Sequence, residues 1–262
     1  MSRGVVRTLR PILRKGWSTA VAVRARDVTQ RSATASCIVF APHPDDETLG
    51  CGATIHRKRE AGTAVHVVIA SDGRSSQDPG LISPDELARI RAHEALDACM
   101  TLGVPAEDIH QLGYHDGTLH ERVTELASRF AEFVDAVRPD EVLVTPHVDN
   151  HSDHRAVNRA VRLALSCTGV NPRMAEYPIG LGPIAGCRLL VLGAERGHRA
   201  ERVSTGLHLA AKSAAARCNR SQVENLTGDP RWRLGLDANA LARFLQPYEI
   251  FFPVGTPPVL RK

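Results

Sequence analysis

The chain has 262 residues, of which 43% are hydrophobic and 24% are charged, a composition typical of a folded globular protein. No run of about 18 apolar residues occurs, so no transmembrane helix is expected. Residues 1–31 carry eight basic side chains and one acidic one. The total charge is +4, so the remaining residues sum to −3. Because no basic stripe crosses this mildly acidic part, the sequence argues against nucleic-acid binding.

The basic segment 1–31 is predicted to be an N-terminal extension, followed by a single domain over residues 32–262. Its apolar residues follow helical spacing, its arginines fall on another face, and Pro11 interrupts the pattern. Two interpretations stay open. The segment is either an interfacial helix that makes peripheral contact with anionic lipid, or a solvated arm packed on the body.

The six cysteines form no CxxC pair, and several lie within apolar stretches. We therefore expect reduced thiols and a cytoplasmic location. Arginines interrupt every apolar stretch before residue 32, so no secretory signal is expected. The sequence makes no prediction of the oligomeric state.

From residue 36 onwards, strand-like and helix-like patterns alternate. The predicted elements are strand 37–41, helix 49–60, strand 64–70, helix 84–102, strand 109–112, helix 121–137, strand 141–145, helix 152–166, strand 189–192 and helix 210–226. Residues 168–188 are rich in Gly and Pro and predict a long loop. The alternation predicts an α/β fold with a mainly parallel sheet that is covered on both faces.

Two clusters of His and Asp follow predicted strands. Pro-His-Pro-Asp-Asp-Glu occupies residues 42–47, and His-Val-Asp-Asn-His-Ser-Asp-His occupies residues 147–154. Parallel sheets bind ligands at the carboxyl ends of their strands, so both clusters belong on one rim. Imidazole with carboxylate suits Zn²⁺ or Fe²⁺, and a catalytic zinc needs three protein ligands and one open position. Solvated acidic turns are the alternative, which the pairing of two such turns disfavours.

The segments APHPDDETLGCG and DNHSDH resemble those of the PIG-L/LmbE-like N-deacetylases, over roughly residues 36–160 and more weakly to residue 252. The resemblance implies a Rossmann-like three-layer sandwich. It also implies one Zn²⁺ per chain, with Fe²⁺ or another divalent ion as the alternative. The implied reaction removes an acetyl group from an N-acetylated amino sugar, of the N-acetylglucosaminyl glycoconjugate type, and releases acetate.

The resemblance also implies roles for individual residues. Three are metal ligands: His43, Asp46 and His154. Asp45 matches the general base. His151 matches the histidine that stabilises the oxyanion or protonates the leaving amine, and Asp153 matches the acid that orients a catalytic histidine. Ser152 stands where the family often has Pro, which should not disturb ligation.

Softer matches lie outside the two turns. Arg91 and Asp116 are expected to bind substrate, although a structural salt bridge between Arg91 and Glu94 is an equal alternative. Lys212 and Ser221-Gln222 resemble a K…SQ element of some bacterial members, for which we expect a structural role.

Other functions compete with deacetylation. The same fold could cleave a larger amide conjugate, or serve as a non-catalytic glycan- or lipid-binding homologue. A non-haem Fe²⁺ oxygenase also uses two histidines and a carboxylate, but on an all-β scaffold. Nucleotide binding finds little support, because neither GxxxxGK[ST] nor GxGxxG follows the first strand.

Overall fold

The sheet can be followed in a computed structural model, which describes residue 21 and residues 23–179 and 199–255. The strands are β1 (Arg26–Asp27), β2 (Cys37–Ala41), β3 (Val65–Ser71), β4 (Ile109–Tyr114), β5 (Glu141–Val144), β6 (Arg173–Glu176), β7 (Glu201–Ser204) and β8 (Tyr248–Val254). Their spatial order is β1-β7-β8-β6-β5-β2-β3-β4. Strand β8 is antiparallel to β6 and β7, and all other neighbouring pairs are parallel.

Helices connect most of these strands. They are α1 (Thr29–Ala33), α2 (Asp46–Glu60), α3 (Pro84–Thr101), α4 (Val123–Val137), α5 (Ser152–Cys167), α6 (Leu209–Cys218), α7 (Arg220–Val223) and α8 (Ala238–Phe244). In the part of the chain that the structure describes, each helix is too short or too polar to cross a bilayer.

Strand β2 shows why the sheet is buried on both faces. Its residues Cys37, Val39 and Ala41 belong to one apolar cluster, together with residues of α2 and α3. Its residues Ile38 and Phe40 belong to a second cluster, with residues of α4 and α5. Successive side chains of a strand point to opposite faces, so an all-apolar strand must be covered twice. The predicted three-layer α/β sandwich is confirmed.

The C-terminal part differs from the prediction in two places. Strand β6 lies inside segment 168–188, which was predicted to be a loop. The sequence did not predict this strand, because Arg-Met-Ala-Glu contains no apolar run. The predicted helix 210–226 is two helices, α6 and α7, separated at Asn219, whose ψ of 60° is not helical. The predicted strand 189–192 lies outside the described residues.

The N-terminal segment is described only in part. Strand β1 pairs with β7, so the sheet begins within the segment predicted as an extension. Residues 1–20 and 22 lie outside the described residues. The division at residue 31 and the lipid-contact interpretation therefore stay predictions. The five described cysteines are free thiols, as expected.

The order of the strands reverses next to β2. After β2 the chain adds β3 and β4 on one side, and it then crosses back to place β5 on the other side of β2. In open α/β sheets, ligands bind in the crevice at such a reversal, outside the carboxyl ends of the strands. The turns that follow β2 and β5 are therefore brought side by side.

The packing of α4 on the sheet yields a stability prediction. Phe130 is fully buried, and its ring centroid lies 4.4 Å from that of Phe40. We expect Phe130→Ala to lower the free energy of unfolding by about 3–5 kcal/mol, because the cavity cannot collapse against a rigid sheet. Phe133→Ala is the matched control on the same helix, since Phe133 is only half-buried against His110. Urea denaturation should show the larger loss at Phe130; an equal or smaller loss would contradict this account.

Candidate metal centre

The turn between β2 and α2 holds an unusual backbone conformation. Asp45 has φ 109°, a value that L-residues other than Gly rarely adopt. Such a conformation costs on the order of 1–3 kcal/mol and persists only where the surroundings impose it. Here the Asp45 amide donates to Glu47 Oε2 at 3.2 Å, and Pro42 O accepts from Ser71 N at 2.9 Å. These bonds fix the turn that presents Asp45 and Asp46.

The second turn, between β5 and α5, is held by bonds of its own. Thr145 Oγ1 donates to His154 O at 3.1 Å, which joins the end of β5 to the first turn of α5. Arg155 Nη1 donates to Asp149 O and Asn150 O, both at 2.8 Å. The turn is therefore anchored at both ends, and His154 is held facing the first turn.

Asp46 connects the two turns. Its Oδ2 lies 3.1 Å from His43 Nδ1 and 3.3 Å from His154 Nε2. Ligand atoms about 2.0–2.1 Å from a tetrahedral Zn²⁺ lie about 3.3 Å apart, so the two contacts of Asp46 have the length of ligand–ligand edges in such a site. His43, Asp46 and His154 are therefore candidate ligands of one divalent ion.

The electrostatics of these side chains also favour a cation. Burial raises the pKa of Asp46, but the charges and hydrogen bonds of His154 and His43 outweigh it and leave that pKa well below its usual range. Burial lowers the pKa of His154, but Asp46 and Asp149 raise it to about 9. The buried carboxylates thus stabilise positive charge between the rings, which a divalent ion would supply.

A second layer of carboxylates faces the outer nitrogens of the two imidazoles. Asp149 Oδ2 lies 3.2 Å from His154 Nδ1. Asp116 Oδ1 and Asp153 Oδ2 lie 3.1 Å and 3.4 Å from His43 Nε2. Carboxylates in this position orient ligating histidines and raise their basicity. The sequence suggested a substrate contact for Asp116 and gave Asp149 no role; both carboxylates contact predicted ligands.

His151 lies at the open side of the same site. Its ring centroid is 4.7 Å from that of His43 and 5.0 Å from that of His154, and donor atoms of the three histidines lie within 4.8 Å of one another. Its side chain is exposed, and its Nδ1 accepts a hydrogen bond from Asp153 N at 3.3 Å. Burial, together with the positive charges of His43 and His154, lowers its pKa.

Two features favour Asp46 over His151 as the third ligand. One oxygen of Asp46 contacts both other candidate ligands, whereas His151 is exposed and one of its ring nitrogens is already bonded. His151 is then free to face a bound molecule. Asp153 was predicted to orient a catalytic histidine. Its carboxylate contacts the ring of His43, whereas its backbone amide, and not its carboxylate, donates the hydrogen bond to His151.

Asp45 is paired with a buried arginine. Its Oδ2 accepts from Arg91 Nη2 at 3.0 Å, and Arg91 also donates to Pro44 O. Burial raises the pKa of Asp45 to about 6, although the charge of Arg91 opposes this. Gly73, with φ 64°, leaves space for the guanidinium, because a Cβ there would lie 2.7 Å from Arg91 Nε.

The structure pairs Arg91 with Asp45, whereas the sequence suggested substrate binding or a pair with Glu94. Glu94 lies one turn further along α3 and accepts from Ser221 N at 2.7 Å and Ser221 Oγ at 2.6 Å. This turn of α3 therefore links the candidate base to α7.

Sequence reasoning missed a buried cluster below the second turn. Glu176 Oε1 lies 2.9 Å from each of three donors, His147 Nδ1, Asn158 Nδ2 and Arg162 Nη2. The sequence gave His147 no role. Glu176 is the last residue of β6. Because the sequence did not predict this strand, it could not place Glu176 at a strand end next to the second turn.

We predict that Asp149→Asn weakens metal binding. Loss of the carboxylate beside His154 Nδ1 should raise the dissociation constant for Zn²⁺ by about 10–100-fold. Competition of the apoprotein with a chromophoric chelator measures this. Asp85→Asn is the control, because Asp85 is an exposed carboxylate that pairs with Arg74 instead of a candidate ligand. Equal affinities of the two variants would exclude an orienting role for Asp149.

The family model described as PIG-L: GlcNAc-PI de-N-acetylase matches residues 38–165. The probable N-acetyl-alpha-D-glucosaminyl L-malate deacetylase 2 of Bacillus cereus is 32% identical over 134 residues, which are 49% of this chain and 60% of that protein. The chain thus spans about three fifths of the length of the first curated relatives it matches.

Solved structures share the fold over most of the chain. The N,N'-diacetylchitobiose deacetylase of Pyrococcus horikoshii has a TM-score of 0.63 at 22% identity and covers 87% of each chain. The 4-carboxy-2-hydroxymuconate hydratase of Pseudomonas putida has a TM-score of 0.58 at 15% identity and covers 87% of this chain and 99% of that one. At these identities the likeness establishes the architecture alone. Residues 38–165 of this chain thus match the model of the PIG-L family, and this matched region contains both turns of the candidate centre.

Proposed function

We propose that this protein is a metal-dependent N-deacetylase that hydrolyses the acetamide of an N-acetylated amino sugar and releases acetate. The observation that carries the proposal is the position of Asp46 Oδ2 between His43 Nδ1 and His154 Nε2. The Bacillus cereus relative is named for an N-acetylglucosaminyl substrate, which supports that substrate class. The proposed ion is Zn²⁺, one per chain, and Fe²⁺ would suit the same donors.

The proposed chemistry divides between the ion and the side chains. A divalent ion held by His43, Asp46 and His154 would supply Lewis acidity at its open position. Asp45 is the proposed base, since a carboxylate with a raised pKa is mainly ionised at neutral pH yet accepts a proton more readily than an ordinary one.

Proton transfers then account for the products. Asp45 takes a proton from water as the water oxygen adds to the acetyl carbonyl carbon. The C–N bond breaks, and the nitrogen receives that same proton from Asp45, directly or by way of His151, so that one amide and one water give one amine and one acetic acid, which ionises to acetate. His151 is the proposed donor to the oxyanion, because its ring lies on the open side of the site.

The remaining predicted residues are proposed to position the others. Arg91 holds Asp45, and Asp116 and Asp153 contact His43, so orientation accounts for their described contacts. Substrate binding by Arg91 and Asp116 stays a prediction, as do a cytoplasmic location and lipid contact through residues 1–31.

Two alternatives give different products. An amidase of the same fold that acts on a larger conjugate would release an acid other than acetate. A non-catalytic homologue would release nothing, but the strained backbone of Asp45 and its buried pairing with Arg91 argue against it, because such strain is usually kept for function.

We predict that Asp45→Asn abolishes turnover and keeps the metal. Loss of the base should lower kcat for acetate release by about 10²–10⁴-fold. The substrates are N-acetylglucosamine derivatives, and metal content is measured on the same preparation. Asp85→Asn should keep full activity. Loss of metal from the Asp45→Asn variant would indicate that Asp45 is a metal ligand. Wild-type protein that binds metal but releases no acetate would exclude the deacetylase function.

We also predict that a chelator removes both activity and stability. Without the ion, Asp46 and two imidazoles remain crowded together, and the stabilisation due to binding is lost. Differential scanning calorimetry should show a lower Tm for the apoprotein. Addition of Zn²⁺, or of Fe²⁺ without oxygen, should restore acetate release. A Tm and an activity that chelation leaves unchanged would contradict the metal dependence.

A further inference from the structure

Helix α2 is interrupted one turn after Asp46. Cys51 has φ −141° and ψ 21°, which are not helical values. In a continuous α-helix, the amides of Ala53 and Thr54 would donate to the carbonyls four residues earlier. Here they donate to the carboxylate of Glu249, at 2.9 Å and 2.8 Å, and Thr54 Oγ1 donates to it at 2.6 Å. Glu249 therefore caps the second segment of α2.

The capping carboxylate belongs to a buried ion pair. Glu249, on β8, is 4% exposed, and Lys212, on α6, is 1% exposed. Lys212 Nζ donates to Glu249 Oε1 at 2.7 Å. A Cβ on Gly52 would lie 3.2 Å from Lys212 Cγ, so the lysine stem runs directly against the interruption. An unpaired buried carboxylate would be costly, and Lys212 therefore makes the cap possible.

The first turn of α2 is held separately from the second segment. A Cβ on Gly50 would lie 2.2 Å from Tyr177 Cδ2, so this turn packs closely on the tyrosine ring. Tyr177 Oη donates to Phe40 O at 2.9 Å, near the end of β2. The first turn of α2, which carries Asp46, does not share one continuous helix axis with the second segment. The orientation of this turn therefore depends on the geometry of the interruption.

We infer that the Lys212–Glu249 pair positions the metal centre. By capping the second segment of α2, Glu249 fixes the interruption and keeps the Asp46 carboxylate in contact with His43 and His154. Both residues of the pair lie outside residues 38–165, so the centre depends on the C-terminal part of the chain. The inference rests on the metal site of the proposed function. Lys212 and Glu249 are positioning residues, since neither contacts a candidate ligand of the ion.

The test measures Zn²⁺ affinity of the full-length apoprotein by competition with a chromophoric chelator. We expect Glu249→Gln and Lys212→Met to raise the dissociation constant about tenfold, at the lower end of the range for residues that support metal ligands. Glu141→Gln is the matched control. Glu141 also forms a buried pair with a lysine of α2, Lys58, but at the amino end of β5, away from the interruption. The Glu141→Gln variant should have a lower Tm than the wild-type protein and the same Zn²⁺ affinity.

A double variant guards against simple unfolding. Lys212→Met with Glu249→Leu removes both charges, so no single charge stays buried, and the fold should survive while the cap is lost. Weaker Zn²⁺ binding by this folded variant supports the inference. Wild-type affinity in it, or equal losses in the Glu249 and Glu141 variants, overturns the inference and leaves the metal site intact. If the wild-type protein binds no Zn²⁺, the proposed metal site fails, and the inference fails with it.

Discussion

One carboxylate oxygen contacts two imidazoles from separate turns, and most of the site is arranged around that contact. Asp46 Oδ2 contacts both His43 and His154 because β2 and β5 are parallel neighbours. The strand order reverses between them, which leaves a crevice where the two turns meet. The buried carboxylate of Asp46 favours positive charge on or between the two imidazoles. A divalent ion would supply that charge while the imidazoles stay neutral.

Asp45 and Asp46 are adjacent in sequence, yet their surroundings move their pKa values apart. Burial, which Arg91 only partly offsets, raises the pKa of Asp45 to about 6. Contacts with His154 and His43 overcome burial and depress the pKa of Asp46. Two carboxyl groups with separated pKa values are the usual basis for dividing acid–base work from ligation. The left-handed backbone at Asp45 allows the two neighbours to have such different partners.

The sequence predicted what depends on local patterns. The apolar strand before each turn predicted that the two His/Asp clusters share one rim, because sheet topology brings strand ends together, and the family resemblance then named His43, Asp46 and His154 as ligands. The sequence could not predict contacts between distant, individually unremarkable residues. Glu249 can accept a hydrogen bond from the Ala53 amide because α2 is interrupted there. Strand β6 is short and polar, and only its pairing with β5 and β8 identifies it as a strand. Asp149 lay within a recognised motif, but only distances reveal which imidazole it orients.

The central position of β8 has a consequence for how the molecule forms. This strand is the last described element in the chain, yet it lies between β6 and β7. Until it arrives, β6 has one open edge, and the β1–β7 pair has no link to the rest of the sheet. Pairings over such sequence separations form late, because loop closure must precede them. A nascent or partly folded chain would thus present unpaired strand edges, which are prone to association with other chains, until β8 docks.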